Sequence, residues 1–72
     1  MIEVRAEMAA TVWQVRVQVG ETVAPGAELV ILESMKMEIP VEAPGAGIVA
    51  AIHVEPEQAV TAGELICTSE PA

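Results

Sequence analysis

The chain has 72 residues, 53% of them apolar with Trp13 as the one aromatic, and 11 glutamates against three cations, Arg5, Arg16 and Lys36. A formal charge of −8 argues against nucleic acid and anionic membranes as partners and favours basic protein surfaces. One cysteine (Cys67), one histidine (His53) and no aspartate leave no disulfide, CxxC site, catalytic triad or metal cluster, so neither an enzyme nor a metalloprotein is expected.

This length suits one small domain, residues 1–72, with a core of Val, Ile, Leu and Ala. Short Val- and Ile-rich runs broken by Gly and Pro predict an all-β fold, closed into a flattened barrel or sandwich that leaves few exposed edges. No apolar run approaches the ~20 residues of a membrane span, and no leader opens the chain, so a monomeric cytoplasmic domain with Cys67 buried is expected.

In chain order, Ile2–Ala6 reads as an edge strand. Ala9–Val19 reads as a second strand, with Val12, Val15, Val17 and Val19 as its apolar positions and Gln14, Arg16 and Gln18 interleaved. Gly20-Glu21-Thr22 is a turn, Val23 re-enters the core, and Ala24-Pro25-Gly26 is a second turn. Leu29–Glu42 is a hairpin, and Ala43–Gly47 is a bend. Ile48–Val54 is a strand with His53 facing solvent. Turns at Glu55–Gln58 and Ala62-Gly63 precede a closing strand, Leu65–Thr68, after which Ser69–Ala72 frays.

The hairpin register follows from side-chain alternation. With Met35 and Lys36 as a two-residue turn, Ser34 faces Met37, Glu33 faces Glu38, Leu32 faces Ile39, Ile31 faces Pro40, Val30 faces Val41 and Leu29 faces Glu42. Leu32/Ile39 and Val30/Val41 then share the core face, whereas a one-residue slip sets Leu32 against Glu38. Met37 can pack inward beside Ser34, and Trp13 is a core or groove residue. Tight turns favour residues that accept positive φ, and Met-Lys does not, so strain of about 1–3 kcal/mol is expected at the tip. Glu33 opposite Glu38 adds like-charge repulsion there.

The two halves repeat, over about 8–35 and 44–70. Val17/Val54, Val23/Val60 and Gly26/Gly63 are 37 positions apart, whereas Val12/Ile48 and Leu29/Leu65 are 36 apart, so one residue is gained and then lost between copies. Lys36, the only lysine, falls at the junction.

Glu33-Ser-Met-Lys-Met-Glu38 resembles the attachment sequence of biotinyl domains, and Val19-Gly-Glu-Thr-Val23, Pro25-Gly26, Leu29–Ile31, Ala43-Pro44 and Gly47-Ile-Val49 resemble that family's framework. The resemblance covers essentially the whole chain. It implies two antiparallel sheets related by a quasi-twofold, with covalent biotin on Lys36 at an exposed hairpin turn. It also implies that Met35, Met37, Glu33 and Glu38 are read by a biotin protein ligase. Because a lysine amine is protonated in water at neutral pH and no base stands nearby, that ligase must deprotonate and acylate it. The arm then serves biotin carboxylase and carboxyltransferase subunits, or a decarboxylase. Small stand-alone acceptor proteins are the nearest likeness in size. Ser34 stands where the family most often has Ala, the segment Val19–Leu29 is too short for a thumb loop, and Pro56-Glu57-Gln58 replaces a Gly-acid pair. That replacement argues against the usual turn type at Glu57. Two other readings share the architecture: a lipoyl carrier, whose lysine typically lies between Asp and a small residue, and a cofactor-free interaction module.

Overall fold

Branched aliphatic residues bounded by glycines and prolines become strands throughout. The computed structural model describes all 72 residues and forms eight strands and no helix. They are β1 (Ile2–Arg5), β2 (Ala10–Val15), β3 (Thr22–Val23), β4 (Glu28–Ser34), β5 (Met37–Glu42), β6 (Gly47–Ile52), β7 (Ala59–Val60) and β8 (Leu65–Pro71). All pairings are antiparallel, in two four-stranded sheets ordered β1-β8-β6-β3 and β5-β4-β2-β7. The expected pair of antiparallel sheets is therefore what forms. Its most deeply buried side chains are Leu32, Ile66, Val12, Val30, Val49 and Cys67, drawn from both sheets.

The internal repeat is more regular than the sequence reading allowed. An offset of 37 positions carries β2 onto β6, β3 onto β7 and β4 onto β8 end for end. It also exchanges the two sheets, since β1-β8-β6-β3 becomes β5-β4-β2-β7. Backbone hydrogen bonds repeat with it. Gly20 N–H donates to Val49 O at 2.8 Å, and Glu57 N–H donates to Val12 O at 2.7 Å. Gly26 N–H donates to Ala43 O, and Gly63 N–H donates to Ala6 O. The 36-residue pairings are corrected: the buried partner of Val12 is Val49, and that of Leu29 is Ile66, while Ile48 lies exposed. Apolar neighbours at consecutive positions made the slip invisible in the sequence.

Four further expectations change. β2 stops at Val15 and Val19 is 61% exposed, because the chain turns through Val19-Gly20 to reach β3. Glu28, not Leu29, faces Glu42. The irregularity between Glu28 and Val30 drops Leu29 out of alternation and into the core. Ser69–Pro71 does not fray: these residues extend β8, with Ser69 opposite both Ile2 and Val49. Finally, Met37 points to solvent rather than inward.

Candidate functional site

β4 is the most completely buried strand of its sheet, with Leu29, Val30, Ile31 and Leu32 all removed from solvent. It anchors β5, an edge strand whose Pro40 has no N–H to offer the ladder and is tolerated there for that reason. The observed register is Ser34↔Met37, Glu33↔Glu38, Leu32↔Ile39, Ile31↔Pro40 and Val30↔Val41, as the alternation predicts. Two residues remain to close the turn, and both adopt positive φ: 53° at Met35 and 64° at Lys36. Positive φ at both central positions is what a type I′ hairpin demands, and a side chain there costs about 1–2 kcal/mol per residue. The strain expected at the tip is present in the backbone.

The turn projects Lys36 into solvent between two exposed methionines, Met35 at 92% and Met37 at 65% exposure. Glu33 and Glu38 face each other one step below, both exposed. Neither forms an ion pair with Lys36; the ion pair in the structure joins Arg5 to Glu3 at 3.0 Å. All five residues singled out from the sequence thus share one exposed apex. The lysine amine is free of partners and sterically open, which suits transfer of an acyl group onto it by another protein.

No cavity includes Lys36. A groove of about 450 Å³ runs between the free edges of β1 and β5, lined by Val4, Leu32, Ile39 and Val41 with Glu3, Arg5 and Glu42 at its rim. A second, of about 410 Å³, is lined by Thr11, Val12, Trp13, Glu33, Pro56 and Glu57. Trp13 is a groove residue, 44% exposed, not a core one. Glu57 has φ 74°, so the left-handed turn survives without the glycine that the family pattern places there. The sequence reading missed this second groove, although the departure at Pro56-Glu57-Gln58 was its visible signal. His53 is exposed, as expected. Cys67 is buried without a partner, and loss of hydration pushes its thiol pKa above the ordinary value.

Comparison with known proteins agrees with this geometry. Residues 2–68 match the biotin/lipoyl family model, described as biotin-requiring enzyme. The chain is 50% identical over 64 residues to the biotinylated protein TB7.3 homolog of Mycobacterium leprae, covering 89% of this chain and 90% of that one. It is 48% identical over 63 residues to a biotin carboxyl carrier protein of Streptococcus mutans, covering 88% of this chain but 48% of that protein. Among solved structures, a single-chain, multi-domain long-chain acyl-CoA carboxylase contains a region that superposes with a TM-score of 0.93 at 34% identity. The match spans 99% of this chain and 7% of the carboxylase. A family model covering nearly the whole chain, and a relative of similar length at half identity, settle the classification. The chain belongs to the biotin/lipoyl attachment domain family.

Proposed function

We propose that this chain is a biotin carrier protein, with biotin joined through an amide to Nζ of Lys36 and presented to the active sites of a biotin-dependent carboxylase or decarboxylase. The supporting observation is the apex itself: a solvent-exposed, unpaired lysine in a strained turn between two exposed methionines. The relatives' names point the same way, to carriers rather than catalysts. Methionines on both sides, in place of an Asp and a small residue, favour biotin over a lipoyl group.

The residues present fit such a group, because an amide needs only access to the amine. When bound, the group supplies a ureido ring that takes up a carboxylate at one enzyme site and yields it at another. The chain's own residues hold and display it. β4 and β5 fix the apex, Met35 and Lys36 turn the amine outward, and Glu33 and Glu38 keep the tip hydrated and negatively charged. An alkylammonium must lose its proton before it can be acylated, and a biotin protein ligase supplies the base, since carboxylates such as those at the apex are far too weak to take that proton. Tethering then replaces two diffusional encounters with local ones at high effective concentration. Biotin carboxylase and carboxyltransferase subunits are the partners this reading assigns.

Intact-mass measurement after co-expression with a biotin protein ligase tests it. The wild-type chain gains the mass of one biotinyl group, and Lys36→Arg gains none while melting within about 1 °C of wild type. No shift in wild type, or a label mapped to the Met1 amine, overturns the assignment.

A further inference from the structure

We infer that the groove beside Trp13 seats an arginine side chain of the ligase that acylates Lys36, an inference that rests on the carrier reading above. The indole is about half exposed and lines the groove together with Pro56 and two carboxylates, Glu33 and Glu57. No cation of this chain closes the groove. Arg5 is engaged by Glu3 and by the Gly63 carbonyl, and Arg16 donates to Gln14 Oε1. A planar guanidinium stacks on an aromatic face while its fork of N–H donors reaches more than one carboxylate in the same groove, a combination a compact ammonium cannot match. The chain's net charge of −8 draws a basic surface toward it.

Position selects the ligase as the occupant. Thr11 pairs with Glu33, and Glu33 pairs with Glu38, so the groove is continuous with the attachment hairpin across one sheet. A ligase must bring its reacting carbonyl to a bare lysine amine, and therefore covers the surface beside it. Enzymes served later by the long arm are under no such constraint. The repeat supplies an internal comparison. Residues 37 positions away from Thr11, Trp13 and Glu33 are Ile48, Ala50 and Glu70, and those equivalent to Pro56 and Glu57 are Val19 and Gly20. The fold builds this location at both ends, yet the indole and the second carboxylate occur only at the Lys36 end.

The test uses the full chain, purified biotin protein ligase, biotin and ATP. Glu57→Gly removes one carboxylate and restores the residue found at Gly20, so it keeps the fold. Trp13→Leu removes the aromatic face. Each raises the ligase KM for the chain about two- to fivefold with kcat unchanged, the rise shrinking as salt is added. Glu70→Gln, which removes the same charge at the other end, leaves both constants as in wild type. With one tryptophan, the ¹⁵N-labelled chain has a single indole N–H resonance, and saturating unlabelled ligase shifts it. Unchanged KM in both groove variants with Lys36 normally biotinylated overturns the groove alone, as does an equal rise in Glu70→Gln. Failure of wild type to take biotin on Lys36 overturns the carrier reading and the groove with it.

Discussion

Gly20 and Glu57 occupy the same place in the two copies of the repeat and share a left-handed backbone, at φ 92° and 74°. Each donates its N–H to the first deeply buried valine of the other copy's sheet, Val49 for Gly20 and Val12 for Glu57. For Gly20 that conformation is nearly free, whereas for Glu57 it costs on the order of 1 kcal/mol. The non-glycine residues with positive φ are Met35, Lys36 and Glu57, and all belong to the β4–β5 hairpin turn or to the groove that Glu33 shares with Glu57. The other end of the molecule makes its corresponding turn with glycine. One fold thus has a relaxed end and a strained end, and local preference is overridden where an exposed residue has something to present.

The steepest difference between the copies is predicted where they differ by one methyl group. Gly47 and Ala10 open β6 and β2 at equivalent positions. A Cβ on Gly47 lies 2.6 Å from the Glu70 carbonyl oxygen, which a neighbouring backbone cannot yield easily. Gly47→Ala is expected to lose about 1–3 kcal/mol by overpacking. At about 4–8 °C per kcal/mol this is easily read in a thermal melt. Ala10→Gly loses only about 0.5–1 kcal/mol. Equal losses would show that the two openings are not crowded differently.

Next come the paired turns. Glu57→Gly gains about 0.5–1 kcal/mol, and Gly20→Ala loses about 1 kcal/mol through backbone strain alone, since open space surrounds Gly20. Denaturant titration checks both, and the same sign for the two changes would break the comparison. At the apex, Met35→Asn eases the type I′ turn and raises stability by about 0.5–1 kcal/mol, while slowing ligase modification. Faster or unchanged modification would remove Met35 from ligase recognition.

The smallest effect lies in the core. Cys67 is the repeat equivalent of Val30, and both are fully buried. Burial raises the thiol pKa, so the folded chain holds its proton more tightly than the unfolded one. The contribution is intact below the unfolded thiol value of about 8.5 and is lost as pH rises through the higher folded value. Relative to Cys67→Val, wild type should therefore lose stability above about pH 8.5. A difference that stays flat to pH 10 would mean that the thiol is hydrated.

Much of the fold and the apex was legible because the signals were local. Alternation of Leu32 and Val30 with Glu33 set the hairpin register from Val30 to Met37, and the pairing forced two residues into the turn. Legibility failed where a backbone irregularity intervened. Leu29 against Glu42 and the position of Leu29 were one-residue errors, because strict alternation carries no signal for a bulge. The 36-residue repeat spacing was a one-residue slip between adjacent apolar residues, Ile48 beside Val49 and Leu65 beside Ile66. Ser69 looked like a fraying tail by its polarity and end position, but pairing with both β1 and β6 buries it.

Period-two patterning, glycine-marked turns and a duplicated framework were enough, from sequence alone, to specify an all-β chain with its one lysine at a hairpin tip, because alternation and turns depend on neighbours along the chain and a duplication shows when the chain is aligned with itself. Tertiary structure alone decided that Glu57 would hold a glycine's conformation. It also decided that Trp13 would stand beside Glu33 and Glu57 in a groove opening next to that tip. Those placements depend on long-range hydrogen bonds between β2 and the 56–58 turn, and on closure of two sheets around one core, which no local preference encodes.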